Sequence, residues 1–143
     1  MSRDVSENDR RTANVIEIGT IVSVNAAAGR ARVQLGDVLT PEIAVGQMRA
    51  GPLSFWWMPG AGEQVMVAAP GGDLGQGVIV CGIFAGNAPS ADGAVPMIDL
   101  AGGEMVINGT LKVTRDVIAD GVSLVHHVHD GVVPGLSNTG EPV

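Results

Sequence analysis

The sequence predicts an all-β chain: a small closed barrel, then a linker, then a one-sided β stalk that ends in a histidine cluster. Three observations predict it. There are 21 glycines against 3% aromatics and no tyrosine, a composition suited to short strands separated by turns. Residues 15–85 run mostly in short period-two segments, with no convincing amphipathic helix among them. Beyond residue 97 a long alternation carries only one apolar face.

Ile16, Ile18, Thr20, Val22 and Val24 fall on one side of the first strand, with Ile21 the exception on the other. Asn25 to Gly29 reads as a turn, and Arg30 to Leu35 alternates again with Ala31, Val33 and Leu35 inward. Together they predict a hairpin. Glu42 to Ala50 is a weaker strand, and Leu53 to Met58 holds both tryptophans. Adjacent strand residues face opposite ways, so one of Trp56 and Trp57 is expected in the core and the other at an interface. Glu63 to Ala69 alternates through Val65 and Val67, and Pro70-Gly71-Gly72-Asp73 is a turn. Gln76 to Phe84 is apolar on both faces, like a central barrel strand, which makes Cys81 a buried small hydrophobe. About six short strands over this span suggest a five-stranded barrel of the OB type. The expected organisation is an arm over 1–14, an OB-fold domain over 15–87, a linker over 88–97, a stalk over 98–124 and an apex over 125–143.

The charge is uneven. Residues 1–49 balance six acids with six bases, whereas residues 50–143 carry nine acids and only Lys112 and Arg115. Nucleic-acid binding needs a basic face, so the balance argues against it. An OB-fold module for oligosaccharide or single-stranded nucleic acid is the alternative reading, with Trp56 and Trp57 as a stacking platform. One cysteine excludes an intrachain disulfide. Residues 1–14 are polar, unlike a signal peptide, and no apolar run approaches a membrane span, so synthesis in the cytosol is expected.

In the stalk, Met105, Ile107, Leu111, Val113 and Val117 share odd positions and polar residues the even ones. An isolated ribbon has no core to cover that face, so the alternation predicts self-association about an axis. Beyond it stand His126, His127 and His129. Residues two apart on a strand face the same way, so His127 and His129 point together while His126 points with Val128. Imidazole binds Zn, Cu, Fe and Ni. Two ligands are few for a tight site, but three copies about an axis supply enough for an octahedral ion such as Fe(II).

Other motifs fail. Gly121 with His127-Val128-His129 opens like a cupin motif, but Val133 and Pro134 stand where its glutamate belongs and only fourteen residues follow His129. Gly72 and Gly77 have phosphate-loop spacing, but Val78 and Ile79 replace the required Lys and Ser/Thr. No Gly-x-Ser-x-Gly elbow occurs. Asp99 and Glu104 read as solvated positions near a strand start.

The terminal segment resembles a known family, baseplate assembly protein V, the central tail spike of contractile-tailed (Mu-like) phages and related phage-tail particles. The resembling residues are Gly121-Val122-Ser123-Leu124, His127-Val128-His129-Asp130-Gly131-Val132, Pro134-Gly135 and Asn138-Thr139-Gly140-Glu141-Pro142. Gly36-Asp37, Arg49-Ala50-Gly51, Trp56-Trp57, Pro59, Gly62-Glu63-Gln64-Val65 and Pro70-Gly71-Gly72-Asp73-Leu74 with Gly77 add to them.

The resemblance implies an OB-fold base, a short intertwined trimeric β-helix and a pointed metal-binding apex. It implies one iron per trimer, held on the threefold axis by His127 and His129 of each chain. It further implies a structural spike at the virion tail baseplate, assembled in the host bacterial cytoplasm. Such a spike has hub and baseplate proteins as partners, meets the host outer envelope transiently and has no small-molecule substrate or catalysis. His126 occupies a position where the family has a small or polar residue and is a candidate outer group at the tip. Arg115 stands on the apolar face where a small residue is expected, so it must reach solvent or pair with Asp116 or Asp120.

Overall fold

The computed structural model describes residues 7–9, 12, 15–131 and 135. In chain order its strands are β1 (Ile16–Asn25), β2 (Arg30–Leu35), β3 (Val38–Leu39), β4 (Ile43–Val45), β5 (Arg49–Ala50), β6 (Ser54–Phe55), β7 (Gln64–Ala68), β8 (Val78–Gly82), β9 (Ile118–Ala119) and β10 (Val122–Ser123). The chain divides into two units, residues 1–97 and 98–143.

β1 closes the barrel because it is long enough to serve two partners. Its first half pairs antiparallel with β7, from Ile16 opposite Ala68 to Thr20 opposite Gln64. Its second half pairs with β2, from Thr20 opposite Gln34 to Asn25 opposite Arg30. The circuit runs β1-β7-β8-β4-β2 and returns to β1, with β3 appended to β2. The one parallel pairing joins β4 to β8. This is the strand order of a closed OB barrel. The β1–β2 turn is a single 3-10 turn over Ala26–Ala28, capped by the Asn25 side chain and ended by Gly29 at φ 64°.

The two partners of β1 meet at Gly19. A Cβ there would lie 2.4 Å from the Gln34 carbonyl oxygen and 2.6 Å from a Leu35 methyl. Only glycine lets the two strands approach so closely. Gly19→Ala is therefore expected to cost about 3 kcal/mol, the upper part of the usual overpacking range. Urea unfolding followed by circular dichroism would measure it, and an unchanged midpoint would refute the close approach.

The lumen is filled by Ile21, Ala31, Val33, Leu35, Ile43, Val65, Val67 and Ile79, with Val24, Val45 and Leu74 packed against them. Burying each of the larger side chains is worth about 1.5–3 kcal/mol. The one buried polar side chain among the described residues, Thr40, extends the β2 ladder beyond β3. Its hydroxyl accepts from Val33 N at 2.9 Å, and its own amide donates to Val33 O at 2.9 Å.

Three expectations are corrected. In β1 the inward residues are Gly19 and Ile21, whereas Ile16, Ile18 and Val22 are about half exposed. A bulge between Ile21 and Ser23 then shifts the phase, so that Val24 packs inward. In β8 only Ile79 is buried, and Cys81 is exposed. A single barrel has one lumen, and Val80 and Cys81 lie exposed outside it. Neither tryptophan is in the core, because β6 ends at Phe55 and the indoles follow it. The Trp57 backbone is clamped by Gln47, which accepts from Trp57 N at 3.0 Å. Within the arm over 1–14, residues 7–9 and 12 are helical. The rest of that arm lies outside the described residues, as do Val132, Pro134 and Asn138 to Pro142.

In the second unit, not one described residue is buried. Met105, Ile107, Leu111, Val113 and Val117 are 46%, 52%, 65%, 46% and 41% exposed. Among the described residues, no strand pairing involves 98–117. The apolar face of the alternation is bare in the single chain. No helix among the described residues is long and apolar enough to cross a membrane.

Candidate metal centre

The histidine segment is built from a hairpin upward. Asp120 and Gly121, at φ 48° and 81°, make the two-residue turn between β9 and β10. Asp-Gly suits a type I′ turn because both central residues need positive φ. Ala119 stands opposite Val122, and Ile118 opposite Ser123.

Asp116 gathers the open end of this hairpin. Its Oδ1 accepts from Val117 N at 2.8 Å and Val125 N at 3.2 Å. Its Oδ2 accepts from the Ser123 hydroxyl at 2.6 Å. These donors favour the charged form and hold the carboxyl below its ordinary range. The Ser123 hydroxyl is the largest influence, desolvation opposes it, and the amides of Val125, Val117 and Leu124 add to the lowering. Asp116 thus turns both oxygens to the hairpin. Asp99, likewise, accepts from Ala101 N at 2.8 Å in a local turn.

Ser123 passes the constraint on. Its hydroxyl oxygen accepts from His126 N at 2.8 Å, and its carbonyl accepts from His127 N at 3.1 Å. The chain therefore turns at 124–126 instead of running extended through the histidines, a correction to the strand expected there. The reason is that these backbone amides find partners in Asp116 and Ser123 and need no neighbouring strand.

The turn sets the His127 ring. Its Nδ1 lies 3.0 Å from both the Ser123 and the Leu124 carbonyl oxygens. Carbonyl oxygens only accept, so Nδ1 carries the hydrogen, and in the neutral ring Nε2 keeps its lone pair. The His127 and His129 rings lie together, with centroids 5.2 Å apart and planes at 84°. His126 is exposed, with its backbone tied to Ser123.

This donor set fits a divalent transition metal. Imidazole nitrogens suit Fe, Zn and Ni, and a ligating ring commonly donates its other N–H to a carbonyl. Among the described residues no group of three or more His, Cys, Asp or Glu side chains gathers. One chain offers a pair of imidazoles and not a complete shell. Sequence reading found the histidines but missed Ser123 as the pivot and Asp116 as its anchor. The available signal was an acid ahead of an Asp-Gly hairpin, with a serine closing the register.

The barrel end of the chain has recognisable relatives. Residues 17–84 match the family described as the type VI secretion system/phage-baseplate injector OB domain. Over that span the chain is similar to this family. The injector OB domain runs from Glu17 in β1 to Phe84 just past β8, so it takes in the whole barrel circuit and leaves the histidine tip outside the matched span. The spike protein of Escherichia phage P2 is 39% identical over 87 residues, 61% of this chain and 41% of that protein's length. That identity supports the resemblance to baseplate spikes seen in the terminal and barrel motifs. The chain spans less than half of this relative.

Proposed function

We propose that this chain is the central spike of a contractile phage tail or tail-like baseplate. It acts as a non-enzymatic trimer that pierces the host envelope with a metal-tied tip. The injector OB domain carries the reading, and the similarity to a phage spike protein agrees with it. The bare apolar stalk supports three-fold assembly, because three chains wound about an axis cover the face that one chain leaves open. On this reading the spike sits at the virion tail tip, with tail hub and baseplate proteins as partners, after assembly in the host cytoplasm.

A piercing tip must be narrow and must not fray. Chain ends fray unless tied down. His127 and His129 of each chain would hold one ion on the axis, with iron the expected metal and other divalent ions competing for the same imidazoles. The ion supplies cross-linking: its binding energy becomes assembly energy for the three ends at once. With every coordination position filled by imidazole, no position is open for a substrate, unlike a catalytic metal site.

Elemental analysis of untagged protein alongside its solution mass tests the proposal. One iron per trimer is the expected result. A metal-free monomer would overturn it.

A further inference from the structure

We infer that Asp116, acting through Ser123, is the positioning residue of the tip: it fixes the tautomer and direction of His127 so that Nε2 is presented as the free ligand atom. The inference deepens the metal-tied reading above and rests on it for its purpose. Its geometry stands by itself.

The argument follows a chain of hydrogen bonds. Asp116 ties Val117, just ahead of β9, to Ser123 in β10 and to Val125 in the turn that follows. Through Oδ2 it holds Ser123, and through Oδ1 it holds Val125. Those two residues bracket Leu124, whose carbonyl, together with that of Ser123, receives the His127 Nδ1–H. Without the carboxylate the Val125 amide and the Ser123 hydroxyl lose their acceptor. The two carbonyls then have no fixed direction, and the ring is free to take the other tautomer. A protonated Nε2 has no lone pair to give a metal. Everything needed is within residues 116–127, so each chain arrives at assembly with His127 already oriented, and less ordering remains to be done when the ion binds.

Two readouts on the full chain test this. The first is the nitrogen-15 shift of the His127 ring at a pH where imidazole is neutral, in metal-free protein. The wild type is expected to show the Nδ1–H tautomer, and Asp116→Ala to shift toward Nε2–H. Asp116→Asn keeps an oxygen to accept from Val125 but replaces the oxygen that accepts from the Ser123 hydroxyl with an NH2 donor, and is expected to fall between the wild type and Asp116→Ala. The second readout is affinity for Fe(II) or Zn(II) by chelator competition. Asp116→Ala is expected to lower it by about 10–100-fold, the usual effect of losing an outer-shell partner. Backbone amide spectra of residues 16–82 verify that the barrel is unchanged in every variant. An Asp116→Ala protein that keeps the Nδ1–H tautomer overturns the inference, whatever its metal content. If the tautomer switches but even the wild type takes up no metal, the positioning stands and the metal-tied tip falls.

Discussion

Leu111→Asp is expected to convert the proposed trimer into monomers. Leu111 is 65% exposed in the single chain, and it shares its face with Met105, Ile107, Val113 and Val117. If three chains cover that face, the substitution places three carboxylates around one axis. Each loses the transfer energy of a leucine, about 1.5–3 kcal/mol per chain. Each also carries an unpaired charge into a dry site, at a cost of several kcal/mol. Together these exceed what a short stalk can return. Solution mass should fall by about three-fold, and metal uptake should fall with it, because a monomer offers one histidine pair. The barrel should stay folded, since its core residues all lie between Ile21 and Ile79. Lys112→Ala, on the polar face, serves as the control and should remain trimeric. A Leu111→Asp protein with wild-type mass and melting would mean that the buried face is another one.

The closed barrel was legible because β2 and β7 alternate cleanly and each is flanked by turn residues. The inward face of β1 was not. Its apolar residues are mostly on the outside, and the phase changes at a bulge between Ile21 and Ser23. Periodicity says that two faces differ without saying which one turns inward. The decisive fact is a contact between strands: Gly19 must be bare to pass under Gln34 and Leu35. Cys81 and the tryptophans were misplaced for a related reason. Apolar character reports a demand for cover, and among the described residues Val80, Cys81 and both tryptophans stay exposed. At the tip, the pairing of His127 with His129 was readable from their spacing. The turn that orients them was not, because it depends on a carboxylate seven positions before Ser123 and on backbone amides that no side-chain pattern reveals.

The double substitution His127→Ala/His129→Ala is expected to remove the metal entirely and leave the barrel untouched. The buried core of the barrel lies between Ile21 and Ile79, away in sequence from the histidines. The hairpin should also survive, because Asp116, Ser123 and the Asp120-Gly121 turn do not need the imidazoles. What is lost is the tie between chains. A ligand present at a thousand times its dissociation constant stabilises the bound state by about 4 kcal/mol. The tip should therefore melt earlier, as a separate transition below that of the barrel. Chelator treatment of the wild type should reproduce that early transition, and chelator should do nothing further to the double variant. That pairing matters because alanine also removes the His127 Nδ1–H contacts with the Ser123 and Leu124 carbonyls. If the chelated wild type melts late while the double variant melts early, the histidines act as local hydrogen-bond donors and not as metal ligands. If both melt like the untreated protein and remain trimeric, the stalk alone holds the three chains together, and the tip needs no ion to keep its point.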